Sequence, residues 1–281
     1  MKHAHRLVVT MLCLLLAACA VRRPEQPGPA RPPVAVSAAE NRARAQVAME
    51  LDRLRAALDK EVPGHLTCGG RTDTARIALS RAALKAADVA IDRPQLIVVV
   101  DRSPRAQKLC VFLATPAGRW RAVGGSKVST GQAGRRGYFI TPTGVFRHSP
   151  SILDYRAEGT FNENHIRGLG LKGMRVWDFG WQQAQKGWRS EEDTGEIRLL
   201  MHATDPDYLE PRLGRPASKG CVRIPATMNR FLDRHGVLDS SYEQAAADDE
   251  RFRAVLLPDR EPAPLAGELL VVIDSSEATP N

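Results

Sequence analysis

Two side chains in this sequence have the types and spacing for covalent chemistry. His202 and Cys221 stand nineteen positions apart (221 − 202) in the stretch LMHATDPDYLEPRLGRPASKGCVRI, residues Leu200 to Ile224. A cysteine attacks a carbonyl as thiolate, and a free thiol with a pKa of about 8.5 is mostly protonated at neutral pH. A base must therefore take its proton, and histidine is the usual one. Gly220 lets backbone come close to a substrate, and its amide with that of Cys221 can hold a developing oxyanion. Arg223 offers a planar fork suited to a carboxylate. The plain reading of the same residues is a buried structural cysteine and an unrelated core histidine.

The surrounding string decides between them. His202-Ala203, then Leu213-Gly214, Pro216 and Ser218-Lys219-Gly220-Cys221-Val222-Arg223 resembles the signature of the L,D-transpeptidase (YkuD-type) family. That signature reads His, a spacer, then Ser/Thr-His-Gly-Cys, an apolar residue and Arg or Asn. The resemblance implies Cys221 as nucleophile, His202 as base, and the Ala203 carbonyl orienting the imidazole. It puts Gly220 in the catalytic turn and Arg223, Ser218 and Lys219 against the substrate. Lys219 departs from the pattern, standing where the family has histidine; a cation beside the thiol favours the thiolate.

Upstream, Val128-Ser129-Thr130-Gly131 and Thr141-Pro142-Thr143-Gly144-Val145-Phe146 resemble a second family segment, so the likeness covers roughly 96–232. The implied reaction takes a peptidoglycan stem tetrapeptide, releases its terminal D-alanine at an L-to-D bond, and passes the acyl group through a thioester to an amine. Water as acceptor would make the chain an L,D-carboxypeptidase. If Lys219 marks a decayed site, it would be an inactive peptidoglycan-binding lipoprotein. No cofactor is implied, and no Cys-x-x-Cys or His-Glu-x-x-His spacing suggests a metal.

The elements that must position these residues follow from pattern. Ser37 and Glu40 make a capping box, and Val47, Leu51, Leu54 and Leu58 recur at helical spacing until Pro63-Gly64. A second helix, from about 73 to 87, carries Ile77 and Leu84 on one face. Leu96 to Val100 is a continuous apolar run of strand type, and Lys108 to Ala114 returns after a turn at 101–104. A second hairpin is suggested by Trp120 to Val128, with Pro116-Ala117-Gly118 as its turn. The stretch at about 147–198 reads as an aromatic-rich insertion holding Trp177, Trp181 and Trp188. Its rings either line a groove for peptide or sugar or form a local core, and the resemblance adds that such an insertion often caps the cleft. Pro225 opens a short helix with Met228, Phe231 and Leu232 inward, and Leu269 to Ile273 reads as a late strand. The sum is an α+β fold: a mostly-β catalytic domain of L,D-transpeptidase type over 93–275, after a helical hairpin in an appendage at 37–92.

The first residues read as an address. Lys2 and Arg6 precede a short apolar run over 7–16, too short to cross about 30 Å of hydrocarbon as a helix. Leu16-Ala17-Ala18-Cys19 resembles a bacterial lipobox, which makes 1–18 a signal peptide and Cys19 the site of lipidation. A signal peptide cut elsewhere, or a short anchor, is the alternative. The proline-rich 19–36 is a tether. Ala20 after the cysteine implies, by analogy, the outer membrane of a Gram-negative cell, with the protein on its periplasmic face. The net charge of +8 over 281 residues suits anionic envelope polymer or lipid headgroups. No nucleic-acid motif accompanies it. Of five cysteines, Cys13 leaves with the signal, Cys19 takes lipid and Cys221 stays reduced. Cys68 and Cys110 are left to pair in an oxidising compartment, unless Cys110 is a buried strand thiol with no partner within about 7 Å.

Overall fold

A computed structural model describes residues 37–276; the signal segment, the tether and Cys19 lie outside the described residues. Helix α1, Ala38–Glu61, starts at the capping box, with the Glu40 amide donating to Ser37 Oγ and the Ser37 amide to Glu40. Leu51, Leu54 and Leu58, three and four residues apart, form its one buried stripe. Helix α2 follows at Arg71–Ala86.

Strands β1 (Gln95–Asp101), β2 (Lys108–Ala114) and β3 (Trp120–Lys127) form an antiparallel meander. Strand β9, Leu269–Ile273, joins it parallel to β1, and β4, Gly144–Arg147, closes the far edge in the order β3-β2-β1-β9-β4. The run in β1 is apolar throughout because both faces are covered. Leu96, Val98 and Val100 share a core with α1, while Ile97 and Val99 share one with Ile77 and Leu84 of α2. The expected helical pair is thus split across two faces of one sheet. Nor is 37–92 an appendage by packing, since α1 lies in the same core as the second sheet.

That second sheet, β5-β6-β7-β8, comprises Tyr155–Arg156, Arg175–Gln185, Thr194–Ala203 and Val222–Ile224. The later part of the expected insertion is therefore sheet: β6 and β7 form a hairpin that carries the chain to His202. The aromatics of β6 are divided by an irregularity in its register. Trp177 is wholly buried in the main core, whereas Trp181, beyond a bulge between Asp178 and Trp181, is 63% exposed. The remaining helices are α3 (Ala226–Arg234), α4 (Ser240–Asp248) and α5 (Glu250–Val255). Helix α3 sends Met228, Phe231 and Leu232 into the core, as its pattern requires. A disulfide between Cys68 and Cys110 ties the α1–α2 connection to β2. Among the described residues it takes up the two sulfurs of the one His/Cys/Asp/Glu group close enough to hold a metal, Cys68, Asp73 and Cys110.

Because α1 belongs to the main core, Leu54→Ala should destabilise the whole protein by about 2–5 kcal/mol. Denaturant unfolding should still show one transition. A separate early transition, with the main one unmoved, would instead mark the helix as a detachable unit.

Candidate active site

The site is built on the only parallel pair of the second sheet, β7 with β8. Its register sets Met201 against Val222, His202 against Arg223 and Ala203 against Ile224. Met201, Val222 and Ile224 point into the main core. Alternation therefore turns His202 and Arg223 to the other face, with Cys221 just before β8 and diagonal to His202. The Cys221 sulfur lies 3.9 Å from the Arg198 carbonyl of β7.

The turn that delivers Cys221 is held at several points. Gly220 adopts φ +129°, and a Cβ there would come within 2.7 Å of Ile197 Cδ1, so only glycine fits. Thr141 Oγ1, fully buried, donates to the Gly220 carbonyl at 2.7 Å and accepts from the Gly131 amide at 2.8 Å. Ser129 exchanges backbone hydrogen bonds with Arg223, and the Phe139 amide donates to the Lys219 carbonyl. The two upstream motif segments thus act as the clamp on the cysteine turn. A Cβ on Gly131 would meet the Phe139 carbonyl at 2.0 Å, which explains the glycine there.

His202 is buried, and its Nδ1 sits 2.6 Å from the Ala203 carbonyl. A carbonyl only accepts, so Nδ1 carries the proton and Nε2 keeps its lone pair. Burial pushes the His202 pKa down to about 4; the Ala203 bond opposes the shift and the Arg223 cation adds to it. The ring is neutral at pH 7. Burial pushes the half-buried Cys221 thiol up, opposed by the Leu200 amide and the Arg223 cation, while Asp178 adds to the rise.

Three expectations change. Ser218 is fully buried, its hydroxyl donating to the Cys221 carbonyl at 2.6 Å and accepting from the Gly220 amide at 3.1 Å. It braces the turn and offers nothing to a substrate. For the same reason the Gly220 amide is already engaged and is not free for an oxyanion. Lys219 is exposed on a neighbouring cavity, 5.9 Å from the Tyr138 ring, and the cation that acts on the thiol is Arg223. Arg223 lines that cavity, with Nη1 donating to the Ala217 carbonyl at 3.3 Å.

Sequence reasoning missed three residues. Thr141 sits inside a quoted motif, but a hydroxyl that serves only backbone leaves no chemical signature. Asp178 accepts from the Gly180 amide at 2.8 Å and from Arg198 Nε at 2.6 Å. That pair lies beside Tyr155, whose hydroxyl is pushed up by burial and by nearby Asp178 and Cys221. Tyr155, Trp181 and Arg198 thus form one flank of the thiol, and the cavity the other.

A family model for the L,D-transpeptidase (YkuD) catalytic domain matches residues 95–239, just over half of the chain. The chain belongs to the L,D-transpeptidase family. The match begins at β1 and ends past α3, so it contains the clamp, the histidine strand and the cysteine turn. The L,D-transpeptidase family acts on peptidoglycan. No curated protein sequence matches the chain. Among solved structures, a mutant of the helical cell shape determining protein Pgp2 from Campylobacter jejuni is similar at 12% identity and a TM-score of 0.29. The likeness covers 82% of this chain and 56% of that one, so this chain spans little more than half its length.

Two outcomes follow from this geometry. Thr141→Val keeps the shape but strands the Gly220 carbonyl and the Gly131 amide, so stability should fall by about 1–3 kcal/mol in denaturant unfolding. An unchanged midpoint would remove Thr141 from the clamp. The His202 shift also has a pH signature. Its folded pKa lies below the unfolded value of 6.5, so between the two the unfolded chain binds more protons. Stability should therefore fall as pH drops from about 6.5 to about 4, by roughly 3 kcal/mol in all. The drop should be smaller by that amount in His202→Gln; equal acid sensitivity in both proteins would mean that His202 titrates normally.

Proposed function

We propose that this chain is a cysteine-dependent L,D-transpeptidase acting on peptidoglycan stem tetrapeptides. The observation that carries the reading is a neutral His202, its Nε2 lone pair unused, on the same strand face as Cys221. As the sulfur bonds to the peptide carbonyl carbon, Nε2 takes the thiol proton. The Cys221 amide supports the oxyanion, since the Gly220 amide is occupied by Ser218. Collapse breaks the C–N bond, and the imidazolium returns the proton to the departing D-alanine amine. A second amine then attacks the thioester, giving a new amide and restoring the thiol. Water in that step gives the carboxypeptidase outcome instead.

The same reading places the protein on the periplasmic face of the envelope, anchored by lipid at Cys19, in the outer membrane of a Gram-negative cell. The lipobox-like Leu16-Ala17-Ala18-Cys19 supports it, as does the Cys68–Cys110 disulfide, which belongs to an oxidising compartment. Among the described residues no helix is long and apolar enough to cross a membrane.

Intact-mass measurement after exposure to a stem tetrapeptide tests the chemistry. Cys221 should gain the acyl group with loss of D-alanine, and Cys221→Ala should gain nothing. His202→Ala should slow acylation by about 100- to 10,000-fold, whereas Lys219→Ala should stay within about tenfold of the parent. A dead Lys219→Ala beside an active His202→Ala would overturn the assignment of the base.

A further inference from the structure

Beside the thiol, a cavity of about 880 Å³ is enclosed by the loops at 129–138, 162–168 and 204–219. Neither Cys221 nor His202 lines it, but Lys219 and Arg223, on either side of the cysteine in sequence, both do. Its charge is one-sided. Arg135, Arg136, Arg212, Arg215, Lys219 and Arg223 line it, against Glu163 as the single carboxylate. Many other cations of this protein are paired: Arg76 with Asp73 and Asp101, Arg167 with Asp205 and Asp207, Arg198 with Asp178. None of the six cavity cations has a carboxylate within 4.0 Å among the described residues.

The inner wall adds a second observation. Ser129 Oγ, Thr204 Oγ1 and Arg223 Nε are buried without a hydrogen-bond partner, and all three belong to residues of this cavity. Buried polar groups are ordinarily satisfied, so a wall with three orphans is built for something that brings acceptors. Six gathered like charges raise the free energy of the empty site, and an anion relieves it.

We propose that this cavity is the acyl-donor seat and that it selects donors with several free carboxylates, rejecting those whose carboxylates are masked as amides. The inference rests on the transpeptidase reading and narrows its substrate. The scissile bond lies at the cavity rim, where Arg223 faces the carboxylate of the departing residue. That one carboxylate accounts for one cation. The others, on the loops at 129–138 and 204–219, are placed for carboxylates further back along the peptide. A guanidinium binds carboxylate as a bidentate, charge-assisted pair, and a neutral amide cannot replace it. An ammonium is repelled by the same field, so an amine acceptor reaches the thioester from the opposite flank, past Tyr155, Trp181 and Arg198.

The test is equilibrium binding to the full chain carrying Cys221→Ala, which removes turnover from the measurement. Two synthetic stem tetrapeptides are compared, one with all carboxylates free and one with its non-terminal carboxylates amidated. The free form should bind about tenfold or more tighter per masked group, with the difference shrinking as salt rises. The double substitution Arg135→Gln/Arg136→Gln, at two exposed positions, should weaken the free peptide about tenfold and leave the amidated one unchanged, with the melting temperature preserved. Equal affinity for the two peptides, or equal weakening of both by the double substitution, would overturn the proposal while leaving the transpeptidase reading intact. Binding of citrate or pyrophosphate with no binding of either peptide would also overturn it, and would count against the peptidoglycan reading as well. Acylation of the parent protein by both peptides at equal efficiency would uphold that reading and sink this one.

Discussion

Three residue pairs on two parallel strands carry the site. A parallel ladder needs a long crossover, and here the connection from β7 to β8 is the loop at 204–221 with its 3-10 turn at Glu210–Arg212. The connection does two jobs. It brings Cys221 beside the strand that holds His202, and it walls the basic cavity with Arg212, Arg215 and Lys219. A one-residue slip in the ladder would turn Cys221 or His202 into the core. The register is guarded by Met201, Val222 and Ile224, which have no tolerable place outside the core.

Behind that face lies a fully buried polar network. Arg175 meets Asp154 at 2.8 Å, Asp239 at 3.3 Å and Asp233 at 3.5 Å, and His148 bonds Asp154 at 2.8 Å. Burial disfavours the Arg175 charge, yet Asp239, Asp154 and Asp233 together hold its pKa above the ordinary value. Such groups are costly to desolvate and stabilise little on balance; what they give is geometry. Asp154 accepts the Asp178 amide at 2.9 Å and donates its own amide to Tyr242 of α4, whose hydroxyl reaches the Ile152 carbonyl. The bulge that frees Trp181 and aims Asp178 at Arg198 is thereby tied to the helices behind it.

The sequence was legible where one residue's own chemistry decides its place. Leu51, Leu54 and Leu58 could only be a buried stripe, and Cys221 with His202 and Arg223 could be picked out because the string around them resembles the L,D-transpeptidase signature. It was opaque where placement depends on a partner distant in the chain. The apolar run of β9 is readable as a strand, but its insertion between β1 and β4 depends on the edge that β1 leaves open. Trp177 and Trp181 look alike in sequence, and a bulge at Gly180 sends them to opposite fates. Ser218 looked like a substrate contact because hydroxyls in motifs often are. In the fold its hydrogen bonds are spent on the Gly220 amide and the Cys221 carbonyl, and that bracing is why a short polar residue stands there.

Arg223 favours the charged form of Cys221 and disfavours that of His202. Its charge lowers the His202 pKa, which disfavours the imidazolium, and lowers that of Cys221, which favours the thiolate. With the cavity empty the first effect joins burial in keeping His202 neutral, and burial outweighs the second, so the proton stays on sulfur. A carboxylate seated on Arg223 cancels most of that field. Losing the repulsion makes the imidazolium easier to form, and losing the attraction makes the thiolate harder to form, so the two changes oppose each other in a proton transfer from Cys221 to His202. In the transpeptidase proposed above, a carboxylate on Arg223 therefore raises the pKa values of base and nucleophile together, and an amide in its place raises neither.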